Sequence, residues 1–236
     1  MKVNLFFCIV SMVLSGCHSK QQHKLKSANS FPVVSISQAR ALPHGSEVTI
    51  QGTITVASGA FSSSTPYGYA LQDNTSGIYI IDSIPPTEGE FNLGELVKIT
   101  GVIEEINNML VIREVTAVKE GTGNEITPIN VKTGNVGESL EGMIVSTGGI
   151  IESLHYDLPY GYKIYINDGS GLLNIFVNTS TGFLSDTTQW KVSDSIWVTG
   201  FTAQYGAAYE VEPRTGKDIK VFSNNSIEYH RKIKNK

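Results

Sequence analysis

Cysteine is almost absent from this chain of 236 residues, since the only two, Cys8 and Cys17, lie near its start. The remaining sequence has no thiol for a disulfide, a thiolate metal site or a nucleophile. It also lacks a nucleophile elbow, a phosphate-binding glycine loop and a zinc-binding histidine pair. The sequence therefore predicts a protein that is not an enzyme and holds no cofactor or metal.

Basic side chains are scarce in the body of the chain. Residues 33–127 contain four Lys or Arg against eleven Asp or Glu, and residues 128–222 contain six against ten. Binding to a polyanion draws most of its affinity from neutralising phosphates. This balance predicts that any binding to nucleic acid is weak and sensitive to salt.

The first residues have the layout of a lipoprotein export signal. Lys2 precedes an apolar stretch from Leu5 to Leu14 that is too short to span a bilayer. The stretch ends in LSGC (14–17), which resembles the bacterial lipobox, in which small residues precede a lipidated cysteine. The resemblance implies that residues 1–17 are a signal peptide and that Cys17 becomes the palmitate-bearing N-terminus, anchored in a membrane. An ordinary secretory signal with an incidental Cys17 is the alternative.

In such lipoproteins, the residue after the lipidated cysteine also indicates the cellular location. His18, rather than Asp, follows the lipidated cysteine, which predicts a lipid-anchored protein of the cell envelope, in the outer membrane if the cell has one. Residues 18–32 are polar and lack periodicity, so they are expected to form a flexible tether. Residues 223–236 are expected to form a basic, solvated tail.

The body of the chain repeats itself. The first copy contains GSEVTIQGTITV (45–56), YALQDNTSGIYIID (69–82) and LGELVKITGVIEEINNMLVI (93–112). The second contains LEGMIVSTGGIIES (140–153), YKIYINDGSGLLNIFVN (162–178) and WKVSDSIWVTGFTAQYGAAYEV (190–211). Such internal similarity predicts two copies of one small domain, at residues 33–127 and 128–222.

Each copy is predicted to consist almost entirely of strands. Residues 48–56, 97–103 and 196–201 alternate between apolar and polar with period two, and each run carries a glycine that suggests a bend or bulge. Asp73 and Asp168 occupy matching hairpin turns, where they are expected to bond backbone amides; a calcium site is the alternative. A short helix is predicted to begin near Ser37, with Ser35 or Ser37 as its cap, and to end before Pro43.

Five strands per copy, with a bent first strand and a longer insertion after the third, is the layout of an OB-fold barrel. The segments ISQARALPHGSEVTIQGTI, YALQDNTSGIYI and LGELVKITGVI resemble the tandem OB-fold repeats of secreted bacterial proteins, which often accompany nuclease or lamin-tail modules. The resemblance implies an all-β protein made of two tandem five-stranded barrels after the signal and tether.

The resemblance also implies where a ligand binds, because OB folds use the face of strands two and three and the adjoining loops. The candidate residues are mostly tyrosines, whose rings can stack on bases or sugars but can equally fill a barrel. They are Tyr67, Tyr69 and Tyr79 in the first copy and Tyr156, Tyr160, Tyr162, Lys163 and Tyr205 in the second.

Three functions follow from these features. The first is a binding module for single-stranded nucleic acid that works by aromatic stacking, and a basic, aromatic groove would favour it. The second is a structural or adaptor protein that contacts another envelope protein, which an acidic groove with an exposed apolar patch would favour. The third is oligosaccharide binding, which several planar polar groups beside a flat aromatic ring would favour.

Overall fold

The computed structural model describes residues 32–81, 91–182 and 190–222. The predicted signal peptide with Cys17, the basic tail and nearly all of the predicted tether lie outside the described residues. In the part of the chain that is described, no helix is both long and apolar enough to cross a membrane.

The first copy forms a closed barrel. Its elements are β1 (Val33–Val34), α1 (Ile36–Arg40), β2 (Glu47–Val56), β3 (Gly68–Gln72), β4 (Gly77–Ile81), β5 (Glu95–Ile106) and β6 (Met109–Thr122). The sheet runs in the order β1-β2-β3-β4-β6-β5, and pairing of β2 with β5 closes it. Strand β4 is parallel to β6, and the short β1 is parallel to β2, whereas the other pairs are antiparallel.

The second copy repeats this order. Its elements are β7 (Ile129–Asn130), β8 (Ile144–Asp157), β9 (Gly161–Asn167), β10 (Leu172–Asn178), β11 (Ser195–Tyr205), β12 (Ala208–Glu212) and β13 (Ile219–Phe222). Short 3-10 helices cover Thr133–Asn135, Glu138–Leu140, Thr179–Thr181 and Gly216–Asp218. The ring β8-β9-β10-β12-β11 closes through β11 and β8, with β10 and β12 parallel. The prediction of an all-β protein with two five-stranded OB-fold barrels is confirmed.

Each barrel has its own apolar core. Strand β5 alternates between inward and outward residues, as a strand with one buried face should, and points Val97, Ile99 and Ile103 inward. The glycine in this strand, Gly101, lies at a shift in register, where an added Cβ would lie 2.6 Å from the carbonyl oxygen of Arg113. The predicted bend at a strand glycine is therefore found here.

The predicted short helix is α1, and the predicted cap is Ser35. Its hydroxyl accepts a hydrogen bond from the backbone amide of Gln38, whose side chain accepts one from the Ser35 amide in return. This reciprocal capping satisfies two amides that would otherwise lack partners at the first turn. The helix packs Ile36 and Ala39 into the core of the first barrel.

The two aspartates of the matching hairpins close their turns, as predicted. Asp73 accepts hydrogen bonds from the backbone amides of Thr75 at 2.7 Å, Ser76 at 2.9 Å and Ile36 at 2.8 Å. Burial raises the pKa of Asp73, but the hydrogen bonds from Thr75, Ile36 and Ser76 outweigh it and leave the pKa lowered. The same carboxylate thus closes the hairpin and holds the start of α1 against it.

Asp168 does the same in the second barrel. It accepts from the Ser170 amide at 2.9 Å and from the Thr133 hydroxyl at 2.8 Å, which ties the 3-10 helix at Thr133–Asn135 to the hairpin. Its pKa is likewise lowered, because hydrogen bonds from Ser170 and Thr133 outweigh the effect of burial. Two equivalent carboxylates in equivalent turns support the duplication inferred from the sequence.

A third apolar cluster joins the barrels. The first barrel contributes buried side chains from β2, β3, β4, β6 and the loop after β2, which are Val56, Phe61, Ala70, Tyr79 and Val111. The second barrel contributes Ile144 from β8 and Phe201 and Ala203 from β11. The ring of Phe201 lies 5.4 Å from that of Tyr79 and 6.3 Å from that of Phe61. The outer face of the first barrel is therefore packed against the second barrel.

Polar and close backbone contacts also join the barrels at this seam. The buried Glu141, before β8, accepts from Arg40 of α1 at 3.0 Å and from the Leu110 amide at 3.1 Å. The backbones of Gly77 and Gly142 approach so closely that a Cβ on Gly77 would lie 1.9 Å from the Gly142 carbonyl oxygen. Both barrels belong to one compact unit of the chain.

Candidate ligand cleft

A cleft opens between the barrels beside the apolar seam. At one end the β5–β6 turn meets the β11–β12 turn, where the Gly206 amide donates to the Asn107 carbonyl oxygen at 2.8 Å and the Asn108 side chain donates to the Gly206 carbonyl oxygen at 3.0 Å. The cleft has a volume of about 500 Å³. This volume lies within the range of small-molecule sites.

The floor of the cleft carries two carboxylates from one strand. Glu210 and Glu212 are two residues apart on β12, so their side chains project from the same face. Glu210 is 9% exposed and accepts a hydrogen bond from the Asn174 amide group at 2.5 Å. Neither carboxylate has an ion-pair partner among the described residues.

Burial changes how these carboxylates titrate. It raises the pKa of Glu210 to about 7. Burial also raises the pKa of Glu212 well above its ordinary value, and the negative charge of Glu210 raises it further. A charged group that loses water and faces a like charge is disfavoured, so the pair holds protons more strongly than exposed carboxylates do.

Lys163, one of the predicted site residues, lies in the wall of this cleft. Its ammonium group is 2.7 Å from the carboxylate of Asp157, and that pairing raises its pKa. It is the sole Lys or Arg among the described residues that line the cleft, against the three carboxylates of Asp157, Glu210 and Glu212. The cleft is therefore acidic.

Two predicted tyrosines form the rim. Tyr160, before β9, and Tyr205, at the end of β11, line the cleft and are 51% and 66% exposed. The amide side chains of Asn107 and Gln204 lie in the same lining. The structure thus brings three of the predicted site residues, Tyr160, Lys163 and Tyr205, together in the lining of one cleft.

Tyr69 and Tyr79, which the sequence places on a ligand-binding face, have no open ring face in the structure. Tyr69 is fully buried in the first barrel, where its ring lies 5.0 Å from that of Phe91. Tyr79 is 3% exposed because the second barrel covers the outer face of β4 through Phe201 and Ala203. The face at which an OB fold commonly binds its ligand is, in this first barrel, the surface that packs against the second.

The other three predicted tyrosines lie outside the cleft lining. Tyr156 is 66% exposed, and its ring lies 4.8 Å from that of Tyr162. Tyr162 packs partly against the core of the second barrel and meets Trp190 at 6.4 Å between ring centroids. Tyr67 is 38% exposed, in the loop before β3.

Sequence reasoning misses Glu210 and Glu212. In the run AYEVE they alternate with Val211, which is the pattern of any strand with a solvated outer face. This face of β12 becomes the floor of a cleft only because the first barrel lies opposite it. No signal within a single strand could have marked Glu210 as buried and Glu212 as half-buried.

More than half of the cations on the two barrels, including the one in the cleft, are paired with carboxylates. Six of the ten described Lys and Arg residues lie in ion pairs with carboxylates: Arg40, Lys98, Arg113, Lys119, Lys163 and Arg214. Within the described ranges, no group of three or more His, Cys, Asp or Glu side chains is placed to hold a metal ion.

The buried carboxylates make stability depend on pH. Raising the pH from about 5 to 8 should lower the free energy of unfolding by up to about 3 kcal/mol for Glu210 alone, since its pKa of about 7 in the folded protein exceeds the ordinary 4.5. The folded state holds the proton more tightly, so its advantage is present at low pH and is lost as the pH rises through 7. Urea denaturation at several pH values measures this trend.

The variant Glu210→Gln should weaken the dependence of the free energy of unfolding on pH, because glutamine does not titrate and no longer repels Glu212. The exposed Glu152 on β8 provides the control, and Glu152→Gln should keep the pH dependence of the parent protein. An unchanged slope in Glu210→Gln would show that the cleft carboxylates do not titrate as described.

Comparisons with known proteins give remote similarities of structure. No protein-family model matches the sequence, and no curated protein sequence is similar to it. A murine DNA-binding protein bound with double-stranded DNA is similar at 13% identity and a TM-score of 0.41, over 75% of this chain and 97% of that one.

Two further solved structures are similar at the same level. The Ifi202 HINa domain in complex with 20 bp double-stranded DNA has 10% identity and a TM-score of 0.37, over 77% of this chain and 97% of that one. The OBody AM1L10, bound to hen egg-white lysozyme, has 14% identity and a TM-score of 0.36, over 43% of this chain and all of that one. Similarities at this level do not identify a ligand for this chain.

Proposed function

We propose that this protein is a non-enzymatic OB-fold binding protein that holds an oligosaccharide in the cleft between its barrels. The observation that supports this most directly is the composition of the cleft: exposed tyrosine rings at the rim and planar polar side chains below them. OB folds bind both oligonucleotides and oligosaccharides, so the chemistry of the site must decide between the two.

The polar groups of the cleft suit sugar hydroxyls. Carboxylates such as Glu212 accept two or more hydrogen bonds, and amides such as Asn107 and Gln204 both donate and accept. Adjacent hydroxyls on a sugar ring present donors and acceptors at the spacing of such planar groups. A ring of Tyr160 or Tyr205 can cover the apolar face of the same sugar.

The charge of the cleft opposes a phosphate backbone. Three carboxylates face one ammonium group there, and that group is already engaged by Asp157. Counterion release, which drives most binding to nucleic acids, needs cations that are free to meet phosphates.

Single-stranded nucleic acid bound by aromatic stacking is the second candidate. One observation favours it: Tyr156, Tyr160 and Tyr205 are each at least half exposed, on or near the hairpin loops of the second barrel. Bases stack on such rings with about 1–3 kcal/mol each. The phosphates of the nucleic acid would then have to lie away from the carboxylates on the cleft floor.

Titration of the purified protein with a glycan panel and with labelled oligothymidine, each at two salt concentrations, tests the proposal. We expect saturable binding of an oligosaccharide that changes little with salt. Oligonucleotide binding in dilute buffer that disappears with salt, without binding of any glycan, would contradict it and support the second candidate.

Removal of a rim tyrosine should weaken this binding. Tyr205→Ala and Tyr160→Ala are each expected to reduce affinity roughly tenfold, a typical cost for truncating an aromatic contact. Both side chains are at least half exposed, so the midpoint of thermal unfolding should hardly change.

Tyr67→Ala is the matched control, because Tyr67 is also exposed but does not line the cleft. It should bind as the parent protein does. Equal losses in all three variants would place the ligand elsewhere.

We further propose that the protein is anchored to the cell envelope through Cys17, in the outer membrane where the cell has one. The LSGC sequence at residues 14–17 supports this. Metabolic labelling with palmitate should mark the protein, and Cys17→Ala should abolish the label and release the protein from the membrane fraction. Persistent labelling of Cys17→Ala would contradict the assignment.

A further inference from the structure

We infer that the saccharide bound in the cleft carries an amino group, which is held as an ammonium ion by Glu210 and Glu212. This inference rests on the proposed function and names the class of sugar that the cleft selects. The chemistry is that of a cationic amino sugar rather than of a neutral or an anionic one.

The first reason is an imbalance of charge within the cleft. Among the described residues of its lining, the only ammonium group is that of Lys163, which forms its ion pair with Asp157 at 2.7 Å. The charge of Lys163 also acts to lower the pKa of Glu210, but neither Glu210 nor Glu212 forms an ion pair with a described residue. A carboxyl group removed from water holds its proton unless a cation faces it. A ligand ammonium group placed between Glu210 and Glu212 would supply that cation together with three hydrogen-bond donors.

The second reason is a buried hydroxyl group close to the same floor. Tyr79 is 3% exposed. The Thr65 side chain lies near enough to its hydroxyl to act on its pKa, but the hydroxyl makes no hydrogen bond of normal geometry within the described part of the chain. Burial raises the pKa of Tyr79, and Glu212, which lines the cleft, lies close enough for its charge to raise that pKa further. An unpaired hydroxyl beside a carboxylate indicates a polar site that lacks one of its members.

The third reason is the aromatic rim. The exposed rings of Tyr160 and Tyr205 stand above the acidic floor, at the mouth of the same cleft. The faces of aromatic rings attract cations. An ammonium group is therefore attracted both by the rings at the mouth of the cleft and by the carboxylates on its floor. A neutral sugar gains only the stacking.

Three β-1,4-linked trisaccharides that differ only in the substituent at C2 of each sugar ring test the inference. They carry an amine (the glucosamine trimer), an acetamide (the N-acetylglucosamine trimer) or a hydroxyl (cellotriose). Isothermal titration of the full chain at neutral pH and moderate salt should give about tenfold tighter binding of the amine than of either neutral sugar, as one charge-assisted contact provides.

The variant Glu212→Gln should remove this preference while it keeps the neutral trisaccharides bound. Glu152→Gln, which removes one negative charge from a part of β8 that does not line the cleft, should keep the preference and so control for general attraction of cations to an acidic protein.

The possible outcomes separate the two proposals. Binding of the neutral trisaccharides with no advantage for the amine would overturn this inference and leave the oligosaccharide function intact. An advantage that survives Glu212→Gln would also overturn it. Absence of binding by all three sugars would contradict the proposed function itself.

Discussion

Replacing Arg40 with methionine should lower the free energy of unfolding by about 3–5 kcal/mol. Its guanidinium group donates to Glu141 at 3.0 Å and to the Gly77 carbonyl oxygen at 3.2 Å, and Glu141 is only 2% exposed. Methionine would fill much of the space but leave a buried carboxylate without its cation. Urea denaturation followed by tryptophan fluorescence measures the loss.

The size of this effect should itself depend on pH. Burial already raises the pKa of Glu141. Without Arg40 the carboxyl group would take up a proton more readily, so the penalty should be smaller at about pH 5 than at about pH 7.

Arg113→Met is the matched control. Arg113 forms a comparable ion pair with Glu104 at 3.4 Å, but both side chains are more than a third exposed. An exposed pair contributes between about 0 and 1 kcal/mol. Similar losses in Arg40→Met and Arg113→Met would show that Glu141 is not held as the structure describes.

Replacing Phe201 with alanine should cost about 3–5 kcal/mol and should also separate the unfolding of the two barrels. Phe201 is 1% exposed and contacts the rings of Tyr79 and Phe61 at the seam. Each barrel keeps its own core, so loss of the shared cluster weakens the coupling between two bodies that can each remain folded. Calorimetry should then resolve two transitions.

Phe91→Ala provides the comparison for this result. Phe91 is equally buried, but it lies in the core of the first barrel against Tyr69. A similar loss of stability is expected there without new separation of the transitions. Two resolved transitions in Phe91→Ala, or a single transition in Phe201→Ala, would contradict the description of the seam.

The sequence alone predicts the barrels well because its signals are local. Alternation in β5, the glycine at Gly101 and the aspartates of the two hairpins each act within a few residues. Repetition of these signals then indicates two copies. The cap at Ser35 is also local, since it needs only Gln38 three residues later.

Packing between the barrels is harder to predict because it depends on surfaces that are distant in the sequence. One available signal is that alternation fails in β3, where all five residues are buried, and in β4, where four residues from Gly77 to Ile80 are buried in succession. A strand covered on both faces shows such a run. The identity of the covering surface, and hence the burial of Tyr79, cannot be deduced from that run.

The close contact of Gly77 with Gly142 has a consequence for how the cleft works. Only glycine fits at these two positions, because any larger side chain would collide with the opposite backbone. This close contact and the Arg40–Glu141 ion pair together fix the angle between the barrels. The site is therefore shaped before any ligand arrives, and binding need not spend free energy on ordering its walls. Association should proceed in one step, with scattering profiles of the free and occupied protein that superimpose.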